Sequence, residues 1–234
     1  MNIEIRGFLE TSLLDWDGKI SSVIFLPGCN FRCPYCHNSP LISDPQSLKK
    51  HELEDVKKFL VEHKNWVDAV VISGGEPTIY EELESFIKEF KDLGFLVKLD
   101  TNGTRPHMLK SLVSKGLLDY VAMDIKGPLN GKYEKLAGSK VNLKDIMESI
   151  EFLKSSGLEY EFRTTVVPGL LDIEDIKRTA EELKDSKKFV IQQFEPNNSL
   201  DEGLREVKPY TPEKLAEIAE AAKASVPNTV LRGA

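Results

Sequence analysis

The sequence predicts an α/β fold made of six βα units. Short apolar runs with strand character alternate with amphipathic helical stretches after the first twenty residues. Gly or Pro marks many of the joints, as at Gly94 and at Pro168-Gly169. Clusters rich in Cys, Glu, Asp and Lys follow the apolar runs, at the strand ends where such folds place their sites.

The strands are expected at Ser22–Leu26, Ala69–Ser73, Leu96–Asp100, Tyr120–Ile125, Glu159–Val166 and Phe189–Phe194. Val70, Val71 and Ile72 form the continuous apolar run of a strand covered on both faces, whereas Leu83, Phe86, Ile87 and Phe90 recur at helical spacing. Strands joined by helices are expected to be parallel, with right-handed connections. Ile3–Leu9 predicts an antiparallel or edge strand ahead of them. Thr211–Ala224 predicts a last helix, capped by Thr211 with Pro212 at its first position, and Thr229–Arg232 a short strand. The chain reads as one domain over residues 1–234, its core at about 20–195 and Asn197–Lys208 its mobile loop. His51 and His63 fall in the charged stretch Lys49–Lys64 and are expected to face solvent.

Composition narrows the function. At 234 residues, 41% hydrophobic and 29% charged, the chain is neither disordered nor fibrous. A net charge of -7 disfavours a nucleic-acid partner. The N-terminus lacks a basic region followed by an apolar stretch, and no window approaches the roughly 18 apolar residues of a spanning helix. A cytoplasmic protein with no membrane partner is expected.

The cysteines point to chemistry. All three lie between positions 29 and 36, which excludes a disulfide framework and suits a reduced metal site. Three thiolates hold three irons of a cubane and leave the fourth open, whereas electron-transfer cubanes usually have four Cys ligands. A zinc site of three Cys plus His37 is the competing arrangement, with adjacent Cys36 and His37 an awkward pair for one tetrahedral ion. Later strands end in Ser73-Gly-Gly-Glu-Pro77, Asp100-Thr-Asn-Gly103 and Asp124-Ile-Lys126. The glycines permit close backbone approach, and Asp124 and Lys126, two apart on an extended segment, point to one face. Each cluster has a plainer reading as a Gly-Pro turn, a loop-capping Asp or a solvated Lys.

Together these motifs resemble the radical S-adenosylmethionine superfamily: Cys29-x3-Cys33-x2-Cys36 with aromatic Tyr35 before the last cysteine, then Gly74-Gly75-Glu76-Pro77 after the second strand. The resemblance covers about residues 20–195 and implies a partial, laterally open (β/α)6 TIM-type barrel with the cluster loop after its first strand. It implies a [4Fe–4S] cluster on Cys29, Cys33 and Cys36, open at one iron to S-adenosylmethionine. The cofactor site so implied takes in Tyr35, Gly74, Gly75, Glu76, Asp100, Thr101, Asn102, Asp124, Lys126 and Arg163. Glu76 would accept from the cofactor's ammonium, Asp124-x-Lys126 would meet its carboxylate, and Arg163 would face it. Asp100–Gly103 would lie beside the cofactor and help to bind a monovalent cation. Of Gln192 and Gln193, one of which strand alternation turns outward, Gln193 is the one expected near the adenosine.

Within the superfamily, Gly28–Asn38 and the Val166-Val-Pro-Gly169 turn resemble activating enzymes of glycyl-radical proteins, and Thr11–Lys19 resembles the anaerobic ribonucleotide reductase activator group. The implied reaction is reductive cleavage of S-adenosylmethionine to a 5′-deoxyadenosyl radical. That radical takes hydrogen from a glycine Cα of a partner protein, with a flavodoxin- or ferredoxin-type donor supplying the electron. Pyruvate formate-lyase activation is the nearest alternative. A small-molecule enzyme such as 7-carboxy-7-deazaguanine synthase is another, although that group often carries Trp where this chain has Tyr35. A non-enzymatic iron–sulfur or zinc protein would not require the strand-end motifs.

Overall fold

The computed structural model describes residues 3–233, which form two compact units. The first runs to Asn30 and adds Pro40–Thr101 and His107–Val121; the second holds Phe31–Ser39, Asn102–Pro106 and the chain from Ala122 onward.

In the first unit β1 (Gly7–Ser12), β2 (Ser21–Leu26), β3 (Ala69–Gly74) and β4 (Leu96–Thr101) are neighbours in that order. β1 is antiparallel to β2, and the others pair in parallel with Val23 beside Val71 and Val71 beside Lys98. β5 (Tyr120–Asp124) ends in the second unit. There β6 (Glu159–Val166), β7 (Phe189–Gln193) and β8 (Thr229–Arg232) are parallel neighbours, with Arg163 beside Val190 and Thr165 beside Gln192. The six expected strands are β2 to β7, none displaced by more than one residue at either end.

The N-terminal strand is the main displacement. It was expected over Ile3–Leu9 but runs Gly7–Ser12, with Ile5 making only an isolated bridge to His51. Continuing the antiparallel register from Gly7 opposite Phe25 sets Ile5 against Pro27, which has no N–H to extend the ladder.

The helix Leu83–Asp92 buries Leu83, Phe86, Ile87 and Phe90, the four residues at helical spacing. Each such large side chain contributes about 1.5–3 kcal/mol on leaving water. The last helix, Pro212–Lys223, has Thr211 as N-cap, accepting from Lys214 N, as expected. Around the β1–β2 hairpin, Trp16 packs on Val23, Ala69 and Val71, with Phe25, Leu96 and Tyr120 beside them.

The two histidines differ from expectation, both being half-buried. His51 lies edge-on to Phe8 at 6.1 Å, and His63 stacks on Phe59 at 4.1 Å with its Nδ1 2.7 Å from the Phe59 carbonyl. Their rings have more apolar surface than their charged sequence neighbours suggested, and it packs on the nearest phenylalanines. Asn197–Lys208 carries a 3-10 turn, Glu202–Glu206, and is tied to the cysteine loop: Asp201 N donates to Pro34 O at 2.8 Å and Ser39 Oγ to Asn198 O at 2.6 Å.

The end of β3 is zipped onto the chain leaving β2. Gly75 N donates to Leu26 O at 2.8 Å and Glu76 N to Gly28 O at 2.9 Å. A Cβ on Gly75 would stand 1.7 Å from Gly28 O, and one on Gly74, at φ 124°, would stand 2.3 Å from Leu26 O. Gly75→Ala must therefore push the Gly28 carbonyl away, and the variant should lose roughly 1–3 kcal/mol in urea denaturation. Unchanged stability would contradict this packing.

Candidate functional site

In the first unit, half-buried Cys29 follows Gly28 directly, and a Cβ on Gly75 would be 3.3 Å from its Cβ. Glu76, 1% exposed, accepts at Oε1 from Thr78 N (3.1 Å), Thr78 Oγ1 (2.5 Å) and Thr101 Oγ1 (2.7 Å). The carboxylate is thus fixed between the 3-10 turn Pro77–Ile79 and the end of β4. Asp100 accepts from Ser73 Oγ at 3.1 Å and stands 3.4 Å from the Lys98 ammonium. Gly74, Gly75, Glu76, Asp100 and Thr101 are therefore gathered at the ends of β3 and β4, and each also has a partner inside the unit.

In the second unit, Cys33 is buried and Cys36 half-buried, joined by a turn in which Cys36 N donates to Cys33 O at 3.1 Å. Arg32 N donates to Ala137 O at 2.8 Å, fixing the loop ahead of them. At the strand ends, Asp124 accepts from Arg163 Nε at 2.8 Å and Lys126 Nζ at 3.1 Å. Ile125 N donates to Arg163 O at 2.8 Å, so the backbone holds the trio in register. Burial pushes the Asp124 carboxyl up, but the Arg163 guanidinium and then the Lys126 ammonium outweigh it and hold it at about 2. Burial opposes charge on Lys126 as well, yet Asp124 beside it, with Cys33, Tyr35 and Tyr133 near, keeps it well above the usual lysine range. Burial also raises the thiols of Cys33 and Cys36, and Lys126 is the main influence lowering both.

Tyr35 is buried, and its hydroxyl has no hydrogen-bond partner among the described residues. Asn102 closes a turn, its Oδ1 accepting from Thr104 N at 3.1 Å and Thr104 Oγ1 at 2.7 Å. Gln193 departs from expectation. Register places it on the face of Val166, opposite that of Arg163, and its Nε2 donates to Tyr210 O at 2.7 Å. Gln192, beside Thr165, shares the Arg163 face. His37 is exposed, and no three His, Cys, Asp or Glu side chains form a single-ion site among the described residues.

Sequence reasoning passed over Lys98 and Tyr133, both fully buried. Lys98 left a signal, a charge set between apolar Val97 and Leu99 and two residues before Asp100 in the same strand; Tyr133 left none.

In the second unit, the Lys126 ammonium offsets the charge that Cys33 and Cys36 would acquire as thiolates, an environment that suits thiolate ligation of a metal. The family model of the radical SAM superfamily matches residues 23–183. A Methanocaldococcus jannaschii protein with the provisional name glycyl-radical enzyme activating enzyme is 36% identical over 99% of this chain and 97% of its own length. The pyruvate formate-lyase-activating enzyme of Clostridium pasteurianum is 28% identical over 94% of this chain and 96% of its own. Among solved structures, Streptococcus suis SuiB superposes with a TM-score of 0.66 at 16% identity, over 88% of this chain and 47% of SuiB. A domain of pyruvate-formate lyase-activating enzyme from Bacteroides vulgatus does so with 0.58 at 16% identity, over 71% of this chain and 99% of that one. The fold these structures share is the predicted class, α/β with a partly open parallel sheet. The chain is a radical SAM enzyme, and it belongs to the glycyl-radical enzyme activating family within that superfamily. The family implies S-adenosylmethionine and a [4Fe–4S] cluster.

The influence of Lys126 on the thiols is measurable without either cofactor. In the reduced apoprotein, Lys126→Met removes the positive charge that most lowers both thiols, so the alkylation profiles of Cys33 and Cys36 should move to higher pH and their rates at pH 8 should fall. Site-resolved mass spectrometry reads each cysteine separately; profiles that do not move would remove Lys126 from their environment.

Proposed function

We propose that this enzyme forms a glycyl radical on an anaerobic ribonucleotide reductase. The likeness to the Methanocaldococcus jannaschii relative carries the activating role, because it runs over 99% of the chain. Thr11–Lys19 favours the reductase as partner, being the segment that resembles its activator group. A second partner, pyruvate formate-lyase, is favoured by the name and 94% coverage of the Clostridium pasteurianum relative.

The motif spacing assigns Cys29, Cys33 and Cys36 to the cluster within one radical SAM domain over residues 1–234. A [4Fe–4S] cluster held by these three thiolates would supply the electron for reductive cleavage of the cofactor's sulfonium to methionine and a 5′-deoxyadenosyl radical. Asp124, Lys126 and Arg163 together carry one net positive charge, which suits the cofactor's carboxylate. Glu76, held still by Thr78 and Thr101, suits its ammonium, with Gly74 and Gly75 setting the carboxylate's position. Tyr35 offers its hydroxyl, and Asp100, Thr101 and Asn102 frame the end of β4. Gln192 replaces Gln193 as the glutamine on the Arg163 face. These residues bind and orient; placement of the reacting atoms is the chief contribution of the chain, as radical transfer needs no acid or base.

The partner's glycine loop must leave its own fold to be reached, an ordering cost of about 2–5 kcal/mol that makes the complex weak. We place the enzyme in the reducing cytoplasm, where a flavodoxin or ferredoxin serves as donor. No helix among the described residues is long and apolar enough to cross a membrane.

The test is anaerobic incubation with a reductase deuterated at glycine. Deuterium should enter 5′-deoxyadenosine, and a glycyl radical should appear by electron paramagnetic resonance. If the signal comes only with pyruvate formate-lyase, the partner is reassigned. Label transferred from a small molecule, with no signal from either protein, would overturn the activating role.

A further inference from the structure

The first unit holds a buried lysine that the proposed chemistry does not use. Lys98 lies on β4 and is 1% exposed. Its stem points to the same face as Asp100, two residues on, and lies beside Val71 in register. Its ammonium donates to the carbonyl of Asp15, stands 3.4 Å from Asp100 Oδ1, and sits 5.7 Å from the centre of the Tyr120 ring. Asp15 belongs to the β1–β2 hairpin, whose Trp16 packs on Val23, Ala69 and Val71, and its carboxylate accepts from Ser12 Oγ at 2.5 Å. One ammonium therefore joins the hairpin to Asp100 at the end of β4. An unpaired ammonium is rarely buried this completely, so both partners are needed to hold it there.

The resemblance gave that segment a share in a monovalent cation site. Asp100 here already stands beside a fixed internal cation and takes a second contact from Ser73 Oγ at 3.1 Å. A sodium or potassium ion at Asp100 would meet the repulsion of a lysine that cannot swing away, since its stem is packed and its head is bound to a carbonyl.

We propose that Lys98 is a built-in cation: its ammonium takes the place of a monovalent metal ion at Asp100 and fixes the position of that carboxylate at the end of β4. Lys98 is a positioning residue, acting through Asp100 on the cofactor segment. The inference rests on the cofactor role proposed above for Asp100, but its primary test does not need the cofactor. An ion that binds only the folded chain raises its melting temperature. The wild-type apoprotein should melt at one temperature in sodium, potassium and choline chloride of equal ionic strength.

Lys98→Met, which keeps the stem and removes the charge, should melt lower in choline by roughly 6–20 °C. It should recover part of that loss in sodium or potassium, because Asp100 can then recruit an ion. Lys98→Gln, which keeps a donor for the Asp15 carbonyl without the charge, should show the same recovery. Lys98→Arg should behave as the wild type does, and this variant together with Lys98→Gln decides the matter if Lys98→Met does not fold. A wild-type melting point raised specifically by sodium or potassium would overturn the proposal, as would neutral variants indifferent to the cation. Binding of S-adenosylmethionine by cluster-loaded wild-type protein is measured alongside. Its absence would sink the cofactor role of Asp100, while the melting series still decides whether Lys98 is the cation there.

Discussion

The ammonium of Lys126 is the charge around which the second unit is organised. Burial works against its charge, and Asp124 offsets that with a carboxylate 3.1 Å away at the same strand end. Asp124 in turn is shared with Arg163 on the neighbouring strand, so the positions of both cations depend on the ladder between β5 and β6. Removing Asp124 would leave the two cations without the carboxylate they share, whereas removing either cation leaves a neutral pair. The same ammonium is the main influence lowering the Cys33 and Cys36 thiols against burial. Stability, register and thiolate chemistry thus converge on one side chain.

The cysteine loop has little regular structure of its own and borrows its shape from distant segments. Within the second unit, Arg32 is held by Ala137, Pro34 by Asp201 and Ser39 by Asn198. Within the first, Gly28 is held by Leu41 and Glu76. A loop fixed by hydrogen bonds from several elements can keep thiolates in place without a helix or strand running through it. This gives Asn197–Lys208 a supporting role that its polar composition did not suggest.

Strands and helices were legible because apolar spacing and burial obey one rule: the Leu83, Phe86, Ile87 and Phe90 stripe became a buried face, and Thr211-Pro212 became a helix start. The strand-end motifs were legible as positions but not as contacts. Asp124 and Lys126 could be set on one face from their spacing; that they bond to each other and to Arg163 depends on the pairing of β5 with β6. Choosing between Gln192 and Gln193 required the register of β6 against β7, which no local pattern encodes. The N-terminal strand was misplaced because its extent is set by Pro27 on its partner. Lys98 was overlooked because a lysine in a short strand reads as solvated unless the hairpin that covers it is known.

Iron content and cofactor cleavage in one anaerobic sample test the central claim most directly, namely that Cys29, Cys33 and Cys36 serve a cluster that cleaves S-adenosylmethionine. The reconstituted wild-type chain should bind about four irons and release 5′-deoxyadenosine on reduction, and the triple Cys→Ala variant should do neither. Tight zinc binding with no reconstitutable iron cluster, or an intact cluster that releases no 5′-deoxyadenosine, would contradict the account.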